Sequence, residues 1–194
     1  MNSIDYNTTI YVTDYTRYNE LHPDAKADAS GVDISLTSSE IAPSFCLLNN
    51  NKHEFVGVNL ERNPSLLKRD DGTTASQCEC FFYARRNNEE PSWYLFLELK
   101  YCLPKNVIDN ALKAIDQLAD TFTFLRDNKK VLDTNKIKKP YFVISMPGVE
   151  SDSPFSAFAF DQDKLLDISD RCNKAVVWIT NEVEVLTPIH LRKR

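Results

Sequence analysis

Two runs, Gln77-Cys-Glu-Cys-Phe-Phe-Tyr-Ala84 and Ser92-Trp-Tyr-Leu-Phe-Leu-Glu-Leu-Lys100, decide how this chain folds. Both are rich in aromatic and apolar residues. The connector Arg85-Arg-Asn-Asn-Glu-Glu-Pro91 is charged and carries turn residues, so the pair reads as an antiparallel hairpin. With the turn near Asn88 and Glu89, Glu79 falls opposite Glu98. Strand side chains alternate, so one face collects Glu79, Phe81, Tyr83, Tyr94, Phe96, Glu98 and Lys100. The other takes Cys78, Cys80, Phe82, Trp93, Leu95, Leu97 and Leu99. That second face is wholly apolar and is expected to pack on the long helix downstream.

The helix is expected from Asn106 as N-cap, with Asp109 in its first turn, to about Arg126. Ile108, Leu112, Ile115, Leu118, Ala119, Phe122 and Leu125 recur at three- and four-residue steps and define its buried face. Tyr141-Phe-Val-Ile-Ser145 reads as a buried strand ended by Pro147-Gly148. Phe155 to Phe160 and Ala175 to Ile179 are further strand candidates, with a short helix around Lys164 to Arg171 between them. Upstream, Thr9-Ile-Tyr-Val-Thr13 is strand-like and is followed by an arm or loop through Ser30. Thr37-Ser-Ser-Glu40 has capping-box spacing and predicts the start of a short helix; Phe55 to Leu60 reads as a strand and Arg69-Asp-Asp-Gly72 as a turn. The order strand, hairpin, long helix, strand argues an α/β protein with a mixed sheet. Residues 1–34 are expected to form an N-terminal arm or extra strand, and 35–194 a single domain with a C-terminal strand-helix-strand extension.

Like charges directly across a ladder are destabilising by up to about 1 kcal/mol, so Glu79 facing Glu98 asks for a reason. A divalent cation removes the repulsion. Mg²⁺ commonly takes one or two protein carboxylates and fills its shell with water and phosphate oxygens, whereas a structural zinc site uses Cys and His. A metal there polarises a phosphate oxygen and acidifies a water, and the ammonium of Lys100 offsets charge developing on the phosphate. Two acids and a lysine outline a phosphodiester-hydrolysing site.

These residues resemble the PD-(D/E)XK nuclease superfamily, whose core is a helix, a strand, a hairpin, a helix and a further strand. Glu98-Leu99-Lys100 matches the (D/E)-x-K triplet, and Glu79 stands where the first acid belongs. The resemblance spans about residues 35–146 and implies a restriction-endonuclease-like mixed sheet with a central hairpin flanked by helices. It further implies Glu79 and Glu98 as ligands of Mg²⁺ or Mn²⁺, the Leu99 carbonyl as a further ligand, and Lys100 as the catalytic lysine. Glu40 corresponds to an extra acid that some members carry on the upstream helix. Gln117 is similar to the helix glutamine of the helicase-nuclease branch, although the tyrosine four residues later is Thr121 here. The chain departs from the family pattern in having Glu for the usual Asp at 79 and Cys78 for the preceding proline. Asp70 or Asp71 replaces Glu79 as first ligand if the hairpin register slips, a slip that turns Glu79 toward the apolar face. The implied activity is metal-dependent cleavage of DNA or RNA, in a bacterial restriction, repair or phage-defence setting. A catalytically inactive relative acting as a binding or regulatory module has the same fold. An unrelated α/β interaction domain follows instead if Glu79 and Glu98 lie on different faces.

Composition bounds these readings. The chain has 194 residues, 42% hydrophobic and 11% aromatic, enough for a sizeable core. Its net charge of −5 excludes a protein that coats nucleic acid non-specifically, so any such contact is local or is supplied by a partner protein, and a homodimer suits double-strand cutting. The basic stretch Lys129, Lys130, Lys136, Lys138 and Lys139 reads as a solvated loop, and Arg192-Lys-Arg194 as a frayed tail, ahead of a phosphate-contacting patch. Four separated glycines make no phosphate-binding loop, and five cysteines without a C-x-x-C suggest reduced thiols. Cys102 reads as a buried small hydrophobe and His22, His53 and His190 are scattered. The N-terminus lacks a signal-peptide pattern and no apolar run approaches a membrane span, so the expectation is a soluble, cytoplasmic protein without membrane contact.

Overall fold

The computed structural model describes residues 2–84, 93–128, 132, 140–149 and 162–194. In chain order the elements are β1 (Ile4–Tyr6), β2 (Ile10–Asp14), α1 (Tyr15–Leu21), β3 (Val32–Ser35), β4 (Phe45–Leu48), β5 (Phe55–Asn59), β6 (Cys80–Ala84) and β7 (Tyr94–Leu99). They continue with α2 (Val107–Asp127), β8 (Pro140–Ser145), α3 (Gln162–Arg171), β9 (Val176–Ile179), β10 (Glu182–Thr187) and β11 (His190–Lys193). The protein is α/β with two mixed sheets. The first runs β1-β5-β6-β7-β8-β9, antiparallel up to β7 and parallel beyond it. The second runs β11-β10-β4-β2-β3, parallel only between β10 and β4.

The hairpin strands pair Cys80 with Leu97, Phe81 with Phe96, Phe82 with Leu95 and Tyr83 with Tyr94, the expected register. Their layers are reversed. The face with Phe81 and Phe96 packs on α2, joined by Phe142 from β8. The apolar face with Cys80, Phe82, Trp93, Leu95, Leu97 and Leu99 packs instead on the second sheet, against Ile10, Val12, Phe45, Leu47, Val183 and Val185. The central hairpin therefore lies between a helix layer and a sheet, where helices on both sides were implied. The physical reason is that β7 is buried at all six positions. A strand covered on both faces reads as one apolar run, and the alternation no longer says which layer meets which face.

On α2 the buried face is Val107, Ala111, Ala114, Ile115, Leu118, Ala119, Phe122 and Leu125. Ile108 and Leu112, expected inside, are 58% and 39% exposed. Alanines 111, 114 and 119 take the sheet-facing positions, so the buried stripe is displaced from the one drawn through the larger side chains. Asn106 does occupy the N-cap position, but its side chain makes no cap bond, because a 3₁₀ turn over Pro104–Asn106 leads into the helix.

No helix starts at Thr37. Residues 36–42 form bends in which Ser39 Oγ accepts the amides of Ile41 and Ala42, so a side chain competes with helical hydrogen bonding, and Pro43 follows. The N-terminal segment gives β1 to the edge of the first sheet, and β2 and β3 to the second. Between β2 and β3 lies α1, unread in the sequence, capped by Asp14, whose carboxylate accepts the Arg17 amide at 3.0 Å. The C-terminus is ordered rather than frayed: β11 pairs with β10, and Arg192 and Arg194 both bond Glu184 Oε2. The connector 85–92, the lysine-rich stretch apart from Leu132, and the strand candidate 155–160 lie outside the described residues.

Candidate active site

At the start of β6 the main chain leaves the regular ladder. Glu79 N–H donates to Leu97 O at 3.1 Å, its carbonyl accepts Leu60 N–H at 2.9 Å, and its carboxylate Oε2 accepts Leu99 N–H at 2.8 Å. A side chain thus takes the place of a ladder acceptor and brings the Glu79 carboxyl to the end of β7. Glu98 near the end of that strand and Lys100 just past it project to the α2 side. Lys100 Nζ donates to Glu98 Oε1 and, at 2.7 Å, to Gln117 Oε1. Gln117 Nε2 in turn donates to Gln77 O at 3.1 Å. Four of the residues expected at the site, Glu79, Glu98, Lys100 and Gln117, therefore meet at one place.

Glu40 and Asp71 do not. Glu40 is exposed in the bends before β4, so it stands on no upstream helix. Asp71 sits in an exposed turn, where its carboxylate accepts both the Thr73 amide and hydroxyl, which hold it below the usual carboxylate range. It lines a separate cavity of about 610 Å³ with Lys68, Asp120 and Asp127.

Glu79, Glu98, Lys100 and Gln117 line a cavity of about 240 Å³ whose opposite wall is α1 and its surroundings, with Asp14, Arg17, Glu20 and Glu61. Sequence reading missed this wall. The available signal was Asp14 three residues before Arg17, the spacing of a side-chain N-cap ahead of a short helix. Glu61 Oε2 accepts the Val32 amide at 2.7 Å and fixes the loop that follows α1.

Burial governs the electrostatics. Glu98 is 1% exposed, and burial raises its pKa while the Lys100 ammonium pulls it back. Glu79 is pushed well above the carboxylate range, by burial first and then by the charge of Glu98. Asp14 is raised by burial as well, opposed by the Arg17 amide. Two carboxyls in one site thus compete to stay ionised beside one ammonium. Glu98 Oε2 is buried and meets no N–H or hydroxyl donor among the described residues; the Glu79 carboxyl is hydrogen-bonded to Glu98, so the pair holds a proton between them.

No protein-family model matches this chain, and no curated protein or solved structure matches it. The site is therefore read from its own chemistry. Among the described residues no three His, Cys, Asp or Glu converge as a ready-made metal cage. The set present is two buried, mutually hydrogen-bonded carboxyls next to the Leu99 main chain. That donor set fits Mg²⁺ or Mn²⁺, which tolerate few protein ligands and keep the rest of their shell for water and phosphate. The cysteines offer no competing nucleophile: burial raises Cys78, Cys80 and Cys102, and all five are thiols.

Thr121, where the resemblance implied tyrosine, has a function visible in its hydrogen bonds. Its Oγ1 accepts the Cys78 amide at 2.9 Å and lies 2.7 Å from Gln117 O, to which it donates. It ties the chain just before Glu79 to α2. Thr121→Val keeps the shape and removes the acceptor, leaving a buried amide unpaired. The expected cost is about 1–3 kcal/mol in chemical denaturation, with Thr121→Ser near wild type.

Proposed function

We propose that this chain is a Mg²⁺- or Mn²⁺-dependent nuclease of the PD-(D/E)XK type, hydrolysing phosphodiester bonds in DNA or RNA. The observation that carries the reading is the buried Glu79–Glu98 carboxyl pair, sharing one cavity with Lys100 at the end of a central strand. The strand order β5-β6-β7-β8, an antiparallel meander with a parallel fourth strand reached through α2, supports it, as does Gln117 on that helix. In this reading Glu79 and Glu98 hold the metal and the Leu99 carbonyl is a further ligand. When bound, the ion supplies Lewis acidity toward a phosphate oxygen and toward water. Lys100 brings a positive charge to the phosphate, and Gln117 orients that lysine by accepting from it while anchored to Gln77 O. Duplex cutting calls for a homodimer or a partner protein, since the net charge of −5 gives little non-specific grip. Among the described residues no helix is long and apolar enough to cross a membrane.

The raised carboxyls supply a test independent of cleavage. A carboxyl whose folded pKa lies above its unfolded value stabilises fully below that unfolded value, and the contribution is lost as pH rises through the folded pKa. The metal-free protein is therefore expected to lose stability as pH rises above the ordinary glutamate value of about 4.5. Glu79 and Glu98 would have to give up their shared proton to hold Mg²⁺, so the stabilising effect of added Mg²⁺ is expected to grow over the same window, with proton release on binding. Thermal melts across pH with and without Mg²⁺ read both effects. The alternative is an inactive relative with the same fold, serving as a binding or regulatory module. Absence of both a Mg²⁺-dependent melting shift and cleavage of DNA or RNA selects that alternative.

A further inference from the structure

Beside the cavity holding Glu79 and Glu98 lies a second one of about 380 Å³, lined by Leu21, Leu99, Tyr101 and Asn110. The two share Arg17, Glu20 and Lys100, so they form one groove running from the carboxyl pair out between α1 and the start of α2. Among the described lining residues, Arg17 and Lys100 are the cations of this groove. Around them stand Asp14, Glu20, Glu61, Glu79 and Glu98.

Resting on the nuclease reading, we propose that this groove takes a single-stranded phosphodiester chain, that Arg17 grips the phosphate next to the scissile one, and that Tyr101 is the platform for a base. Duplex DNA carries one charge per about 1.7 Å of axis from both strands, and a wall rich in carboxylates with two cations repels it. One strand brings few phosphates to the groove and can turn its bases toward apolar surface. Tyr101 suits that task. Its hydroxyl donates to Pro43 O at 2.7 Å, and its ring meets Tyr18 edge-on at 5.8 Å, so it is held in place while partly exposed. Arg17 is 61% exposed, and its partner Glu20, one helical turn away at 2.7 Å, is 58% exposed. Such a surface pair is worth little, so a phosphate displaces Glu20 readily, and the planar guanidinium donates to two of its oxygens. Glu20 is thus a built-in competitor that holds Arg17 over the groove until substrate arrives.

The two members of that pair have opposite expected effects, which makes the test sharp. Binding is read by fluorescence anisotropy on the full chain with Ca²⁺ in place of Mg²⁺. The probes are labelled deoxythymidine and uridine dodecamers and a duplex dodecamer. Both single strands are expected to bind more tightly than the duplex, and any difference between them assigns DNA or RNA. Arg17→Gln is expected to weaken binding and lower the slope of log affinity against log salt by about 0.7, the loss of one single-strand phosphate contact. Glu20→Gln is expected to tighten it. Tyr101→Leu, which keeps bulk, is expected to lose about tenfold, within the range for one stacked base. Equal or tighter duplex binding, an unchanged salt slope for Arg17→Gln, or weaker binding by Glu20→Gln overturns the proposal. Cleavage is scored separately: strand binding of this pattern without hydrolysis in Mg²⁺ or Mn²⁺ removes the nuclease reading and leaves the groove. Hydrolysis indifferent to Arg17 and Glu20 does the reverse.

Discussion

Lys100→Met is expected to reduce metal-dependent cleavage by about 10²–10³-fold, the cost of removing one preorganised group that stabilises transition-state charge. The fall is expected in kcat, because Lys100 lies at the carboxyl pair, whereas strand binding rests on Arg17. Its effect on stability depends on pH. Lys100 Nζ is the partner of Glu98 Oε1, and without it a 1%-exposed carboxylate has no cation beside it. Glu98 then takes up a proton, its folded pKa rising further above the unfolded one. The variant is expected to melt close to wild type near pH 5 and progressively below it toward pH 8, where the unfolded chain ionises Glu98 and the folded one resists. Removing both partners is gentler than removing one, so Lys100→Met with Glu98→Gln is expected to regain stability at pH 8 and no activity. Cleavage by Lys100→Met within tenfold of wild type ends the catalytic assignment.

Phe96→Ala is expected to destabilise the fold by about 3–5 kcal/mol, the range for truncating a fully buried aromatic. Phe96 is fully buried and meets Phe81 at 5.5 Å, Phe122 at 5.6 Å and Phe142 at 5.8 Å between ring centroids. It joins β6, β7, β8 and α2, so few neighbours can move in to fill its space without disturbing an element. At about 2–4 °C per kcal/mol for a chain of this size, the melting midpoint is expected to fall by roughly 6–20 °C. Because Gln117 and Thr121 belong to the helix that Phe96 anchors, the metal-induced melting shift is expected to shrink as well. A loss under 1 kcal/mol in chemical denaturation contradicts the packing described.

How much was legible follows from the range of each interaction. The hairpin register, α2, β8 and the meeting of Glu79, Glu98 and Lys100 rest on period-two and period-3.6 patterns within short stretches, whereas Gln117 was implied by the family resemblance alone. Those periodicities are properties of the backbone and survive whatever packs around it. The displaced stripe on α2 shows the limit of that reasoning. Ile108 and Leu112 are apolar enough to suggest a core, yet the alanines, being small, are what lets the helix approach the sheet.

The acidic wall of the site was not legible, because Asp14, Arg17 and Glu20 reach it through a short helix that departs from a strand of the other sheet. That sheet is assembled from β2, β3, β4, β10 and β11, strands of four to six residues drawn from both ends of the chain. A short strand carries little pattern, and its partner is chosen by which apolar face needs covering. The amino-acid sequence by itself determined the central hairpin, the helix beside it and the clustering of two carboxylates with a lysine, since each follows from local backbone geometry. Only the tertiary structure decided that a second sheet covers the apolar face and that α1 closes the groove, because burial of both faces of β7 is satisfied by residues distant in the chain.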